Sequence, residues 1–354
     1  MVTTKKPTVG IGERGRSLWE EKTVSSINFS DYVDEIADTE KMIIVGESNS
    51  GKTTFYLGII QHIKQQGVKP KDFMMCIVFP DRPTGLTKLF RMIPKEYRDR
   101  IFIYGIDKYE DLVSATAQAE KKLLEHHKLT GKHGWLVNEL LEEDWKMSQD
   151  YYSRQAYGEN LGDYFATKAE VIKQMMAEKG KAGKESAYQA FTGFQDWTTI
   201  KYFHNFNWID RIKRMPFNVL FTAELKAEEN KNSIFYDLGY RPAGEKDNLH
   251  RVDTILHLTH QSNEFTIQPF KLTGYTKLYA KTKITGKNGY AVHRKRIEQL
   301  EAQGLRSSAF AEYEEDAGIT PPKAPSKPKQ KPKPEPKEQE VKEEPEDDEF
   351  DLSL

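Results

Sequence analysis

The sequence predicts an α/β fold built on a mostly parallel sheet, and three observations lead there. Short apolar runs alternate with stretches of helical periodicity, as crossover connections between parallel strands require. One apolar run, Met42-Ile43-Ile44-Val45, passes through a glycine-rich turn into a helical stretch at 55–65. A second helical stretch, 108–127, carries Leu112, Ala115, Ala119, Leu123 and Leu124 on one face and connects the third and fourth apolar runs.

Taken in order, the expected strands are 41–45, 73–79, 101–105, 135–139, 217–223, 253–258 and 265–271, within a core at 38–285. Residues 1–37 read as a flexible arm; its Gly10-Ile11-Gly12-Glu13-Arg14-Gly15 follows no strand and opens no helix, so it is not a dinucleotide loop. Residues 142–214 form a helical insertion longer than a crossover needs. Within it Trp197, Ile200, His204 and Trp208 follow helical spacing, and Lys179-Gly180-Lys181-Ala182-Gly183-Lys184 reads as an exposed basic loop. The segment 226–248 reads as flexible. In the C-terminal segment 286–320, residues 294–315 read as a charged helix with Ile297, Leu300 and Leu305 as apolar contacts. Residues 321–354 turn from Lys and Pro to Glu and Asp with almost no apolar content, so disorder is expected there.

Gly46-Glu47-Ser48-Asn49-Ser50-Gly51-Lys52-Thr53-Thr54 is a complete GxxxxGK[ST] phosphate loop. Glycines let the backbone wrap closely enough for several N–H groups to point at a polyphosphate, and the helix that follows adds its dipole. In such a loop Lys52 reaches the β- and γ-phosphates and the Thr53 hydroxyl ligates Mg²⁺. The expected ligands are therefore ATP and Mg²⁺, held by residues 46–54.

Hydrolysis also needs an acid beside the metal. Trp135-Leu136-Val137-Asn138-Glu139 is an apolar strand ending in a carboxylate, and two registers are open. Either Glu139 is the metal-proximal acid, or Asn138 takes that position and Glu139 polarises the attacking water. Strand alternation puts Trp135, Val137 and Glu139 on one side, which favours the first. Asp81 ends the strand after the phosphate-loop helix and is the candidate water-activating acid; its other reading is a turn residue in Asp81-Arg82-Pro83-Thr84-Gly85. Thr222 or Glu224, at the end of the 217–223 strand, is a candidate γ-phosphate sensor.

Across roughly residues 40–275 the chain resembles the RecA-like branch of P-loop ATPases, in particular phage and archaeal-virus members related to the phage single-strand-annealing ATPases. The resemblance is carried by the phosphate loop, then by Trp135-Leu136-Val137 followed by Trp145, Gln149-Asp150-Tyr151-Tyr152 and Tyr157-Gly158. It implies an ATPase acting on DNA in recombination, repair or replication, with single-stranded DNA as a partner and a homo-oligomeric ring or filament. Aromatic residues interleaved with Lys and Arg in the insertion suit stacking on unpaired bases, although any one of them reads first as helix packing. Arg241, Lys246 and Arg251 become candidates for a cation offered to a neighbouring subunit's nucleotide. RecA-like ATPases carry their catalytic glutamate after the second strand, where this chain has Asp81. The acidic tail, tipped by Phe350, Leu352 and Leu354, has the make-up of a docking segment for replication or recombination proteins, or of a solubilising tail.

Composition bounds the alternatives. The chain has 354 residues, 37% of them hydrophobic, enough for one large core. No run approaches the roughly 18 apolar residues of a membrane span, and the N-terminus lacks a signal peptide, so a cytoplasmic protein is expected, in the host cytoplasm if viral. The single cysteine, Cys76, lies in an apolar run and reads as a core residue, leaving no disulfide or zinc site. His250, His257 and His260 read as structural or surface histidines. Competing functions are a nucleotide-switched binding module, a small-molecule kinase with the insertion as its lid, and a DNA-packaging ATPase. Asn230-Lys231-Asn232-Ser233 lacks the aspartate of a guanine reader.

Overall fold

The structure, a computed structural model, describes residues 39–80, 91, 93–190, 193–231, 233 and 235–306. The N-terminal arm, Asp81 and the tail at 321–354 lie outside the described residues. All seven expected strands form: β1 (Lys41–Val45), β2 (Met75–Phe79), β3 (Ile101–Gly105), β4 (Trp135–Asn138), β5 (Asn218–Ala223), β8 (Thr254–Gln261) and β9 (Glu264–Leu272). Three short strands join them, β6 (Leu225–Ala227), β7 (Tyr240–Pro242) and β10 (Thr282–Ile284). Among the described residues, eight strands make one sheet in the order β10-β9-β8-β1-β5-β4-β2-β3, while β6 and β7 pair separately. The strands from β8 to β3 in that order are parallel, and β9 and β10 are antiparallel.

Every residue of β1 and β2 is buried, because helices cover both faces of the parallel sheet. On one face α1 (Lys52–Gln65) and the C-terminal α7 (Gly289–Ala302) pack Phe55, Tyr56, Ile59, Tyr290, Ile297 and Leu300 against Met42, Ile44 and Val137. The other face is covered by α2 (Tyr109–Thr130), α3 (Leu141–Tyr157), a π-helical stretch (Tyr202–Ile209) and α6 (Asp210–Lys213). They bring Leu112, Ala119, Leu123, Leu141, Trp208 and Ile212 onto Ile43, Val45 and Leu136. Successive residues of β1 and β4 thus serve opposite layers, as the period of two demands. Cys76 is buried in the second layer.

Three expectations need correction. Residues 179–184 are not a loop: their backbone lies within α4 (Leu161–Ala190), which is broken only at Gly180, with φ 59° and ψ −139°. Lys and Ala are good helix formers and carry the helix up to and beyond that glycine. The segment 226–248 is not irregular, since β6 and β7 pair antiparallel and 3₁₀ turns form at Tyr236–Leu238 and Lys246–His250. The C-terminal helix starts at Gly289 rather than 294 and ends at Ala302, where Gly304 turns left-handed with φ 66°. It is tied to the core as well as packed on it: Arg294 Nη1 donates to Glu40 Oε1 at 2.6 Å, and the Tyr290 hydroxyl donates to the same carboxylate. Helix α5 (Gly193–Lys201) completes the insertion, in which Ile200, His204 and Trp208 are buried and Trp197 is exposed. No described helix is long and apolar enough to cross a membrane.

Candidate functional site

The phosphate loop leaves the C-terminal end of β1, between the ends of β5 and β8. Its first residue must be glycine: a Cβ at Gly46 would lie 2.4 Å from Ser50 Oγ and 2.5 Å from the Leu258 carbonyl. The Gly46 N–H donates to Ala223 O at 3.2 Å, which ties the loop to β5. Glu47, Ser48 and Asn49 are exposed at the tip. Asn49 (φ 63°) and Gly51 (φ 96°) are left-handed, the alternation that turns successive N–H groups toward one concavity. Helix α1 then begins at Lys52 with no side-chain cap and no acid in its first turn, leaving the N–H groups of that turn, Thr53 and Thr54 included, to an anion. Ser50 Oγ is buried without a protein partner. Lys52 lies across the loop, its Nζ donating to Gly46 O at 2.6 Å and Glu47 O at 3.0 Å. Burial lowers the Lys52 pKa, and the carboxylates of Glu224, Glu142 and Glu139 oppose that shift.

Of the two registers at the end of β4, the geometry brings Glu139 to the loop. Thr53 Oγ1 donates to Glu139 Oε1 at 3.0 Å. Burial raises the Glu139 carboxyl, while the Tyr56 and Thr53 hydroxyls and the Lys52 charge pull it back. Asn138 faces the opposite layer, where its Nδ2 donates to Asp144 Oδ2. Asp144 is fully buried, and burial holds its carboxyl well above the usual range. From there a polar chain runs through the insertion. Ser148 Oγ donates to Asp144 O at 2.9 Å and so accepts from His204 Nδ1, 3.0 Å away. His204 Nε2 is left to accept from Asn248 Nδ2 at 3.2 Å. Burial lowers the His204 pKa to about 3, so its ring is neutral.

The turn after Glu139 is strained, since Leu140 has φ 64° and ψ 70°, a left-handed conformation unusual for a bulky side chain. Thr222 holds that turn: its Oγ1 accepts from Leu140 N at 3.0 Å, so it braces β4 against β5. Glu142 stands in the first turn of α3, with Oε2 accepting from Glu224 N at 3.2 Å. Burial, helped by the charge of Glu224, raises the Glu142 carboxyl, and Lys52 offsets part of the shift.

Around this mouth, His257 is buried beside Tyr240, whose hydroxyl is 3.5 Å from Nδ1, and exposed His260 stacks on Phe265 at 4.0 Å. Two of the three candidate trans-acting cations are engaged within the chain, Arg241 with Glu228 at 3.7 Å and Arg251 with Asp210. Lys246 is exposed. A scan against protein-family models finds no match, and a search of curated proteins finds no similar chain.

Sequence reasoning passed over Glu142, Asp144 and Leu140. Acids in a first helical turn are ordinary dipole partners, and nothing in Glu142-Glu143-Asp144 separates one aimed at Lys52 from one sealed under the sheet.

Proposed function

We propose that the chain is a Mg²⁺-dependent ATPase of the RecA-like P-loop kind that acts on DNA. The observation that carries this reading is the Thr53 hydroxyl bonded to the Glu139 carboxylate at 3.0 Å, beside a loop of left-handed backbone at the C-terminal ends of parallel strands. The donor set fits the metal: Mg²⁺ takes hard oxygen ligands and keeps waters and phosphate oxygens for most of its shell. Thr53 and Glu139 would hold it, and a dedicated protein cage is not required. When bound, the ion would neutralise charge on the β- and γ-phosphate oxygens.

The chain's own groups do the rest. The loop N–H groups orient the triphosphate, Lys52 moves from the Gly46 and Glu47 carbonyls to phosphate oxygens, and Glu139 fixes the Thr53 hydroxyl. For the DNA part, exposed Trp197, Tyr202 and Phe206 on the insertion support stacking with unpaired bases. The test is ATP turnover by purified protein with and without Mg²⁺ and single-stranded DNA. Mg²⁺-dependent turnover that rises several-fold with DNA is expected. No nucleotide binding rejects the whole reading, and turnover indifferent to DNA rejects the DNA part.

A further inference from the structure

We infer that Glu142 is the general base of this site, the carboxylate that takes the proton of the attacking water. The inference rests on the ATPase reading above and names a residue in it. Four acids near the mouth compete for the role, and geometry separates them. Glu139 is committed to the Thr53 hydroxyl on the α1 side. Asp144 is fully buried in the opposite layer and bonded to Asn138. Glu224 is exposed at the end of β5. Glu142 is half-buried and still open to solvent, and its Oε2 accepts at 3.2 Å from Glu224 N, one residue beyond the Ala223 carbonyl that receives the Gly46 N–H, so it stands at the edge of the loop.

The backbone that delivers Glu142 is the strained one. Left-handed Leu140 turns the chain between Glu139 and α3, and the Thr222 hydroxyl holds its N–H. Strain in a non-glycine residue persists only where the surroundings enforce it, and such residues cluster at functional sites. The turn sends Glu139 to Thr53 and Glu142 to the end of β5, while Asn138 and Asp144 meet in the opposite layer. A base also works best with a pKa raised toward the operating pH, which burial supplies here.

In the step, the water oxygen forms a bond to the γ-phosphorus as the bond from that phosphorus to the β–γ bridging oxygen breaks, and the electron pair leaves on ADP. The water proton passes to a Glu142 oxygen and returns to phosphate or solvent after release.

The experiment compares wild type, Glu142→Gln and Glu142→Asp for Mg-ATP affinity and for turnover across pH. Glu142→Gln is expected to keep ATP affinity within about threefold and to lose turnover by about 100-fold or more, the usual contribution of a positioned base. Wild-type turnover should fall as pH drops through the raised carboxyl pKa. That acidic limb should vanish in Glu142→Gln and persist, at lower rate, in Glu142→Asp. A merely structural role would not move the limb. Turnover in Glu142→Gln near the wild-type level overturns the assignment, as does loss of ATP binding, which would make Glu142 a binding residue. Should Asp81→Asn or Glu224→Gln remove the acidic limb instead, the base is there. Wild type that binds Mg-ATP without turning it over defeats the ATPase reading itself, and is told apart because it needs no variant.

Discussion

Glu139 and Asn138 are neighbours at the end of one strand, nearly equally buried at 5% and 1% exposure, yet they belong to two different devices. On the α1 side Glu139 accepts from Thr53 and feels the Lys52 charge, and the half-open Glu142 stands at the end of β5, so charge there has partners. On the α3 side the Asn138 amide meets the Asp144 carboxyl, and from the Asp144 main-chain carbonyl a chain of hydroxyl and imidazole runs on to Asn248. Burial is met there by neutrality, since an isolated buried charge costs far more than a hydrogen-bonded neutral group. The contrast teaches that which side of the sheet a polar residue faces, more than its type or its burial, decides whether it meets the loop at Thr53 or a closed polar chain within the insertion.

The largest effect that sharpens the contrast is expected on the α1 side. Lys52→Ala should weaken Mg-ATP binding by roughly 100-fold, about 3 kcal/mol, because a desolvated charge facing phosphate is removed. Circular dichroism and the melting temperature should barely change, since the side chain is not in the core. Glu139→Gln should leave ATP bound and slow turnover by roughly 100-fold, as loss of one preorganised electrostatic contact does. If instead Asn138→Ala proves the more damaging to turnover, the two sides have been assigned the wrong way round.

Asn138→Asp is the sharpest probe of the sealed side. By sequence it would restore an acid to the metal position. In the structure it removes the amide donor to Asp144 and sets a second carboxyl against the first, away from Thr53. The expected result is a loss of about 3 kcal/mol, or roughly 6–12 °C in melting temperature, with no gain in turnover. A variant that melts like wild type and turns over faster would break the comparison.

Two smaller effects lie in the pH dependence of stability. Above about pH 4 the unfolded Asp144 carboxyl gives up its proton while the folded one keeps it, so this group favours unfolding increasingly as pH rises until the folded carboxyl ionises. Thermal melts of Asp144→Asn should therefore gain on wild type as pH rises above about 4. His204 acts in the other direction. Its unfolded pKa is about 6.5 and its folded pKa about 3, so the unfolded chain takes up the extra proton between those values and stability falls as pH drops through that window. His204→Gln should flatten that acid decline, and an unchanged slope would mean that the ring is not held neutral.

Much of this was legible in the sequence because parallel strands buried on both faces are continuous apolar runs, and β1, β2, β4 and β5 have little else. Alternation along β4 was enough to send Glu139 to the phosphate loop. Residues β6 and β7 were not legible: each is three residues long, and Lys226 and Arg241 carry charge through them. The early start of α7 was hidden by Gly289, a poor helix former at its first position. Nor does any residue type announce a left-handed Leu140, which is imposed by the surrounding structure through Thr222. The π-helical stretch that carries His204 is likewise a matter of packing, for its sequence has ordinary helical spacing.

The position of β1 between β5 and β8 has a consequence for how the protein comes into being. Lys41 pairs with Val219 and Met42 with Thr254, whereas β2, β3 and β4 pair among themselves and with β5. A nascent chain that has emerged only as far as β4 therefore carries the whole phosphate loop without either strand that holds it, and Gly46 waits for the Ala223 carbonyl. At typical synthesis rates the wait from β1 to β8 is on the order of 10–40 s. The anchored loop is thus a late acquisition of the growing polypeptide, and any product released before β8 would display the motif without both strands that flank it.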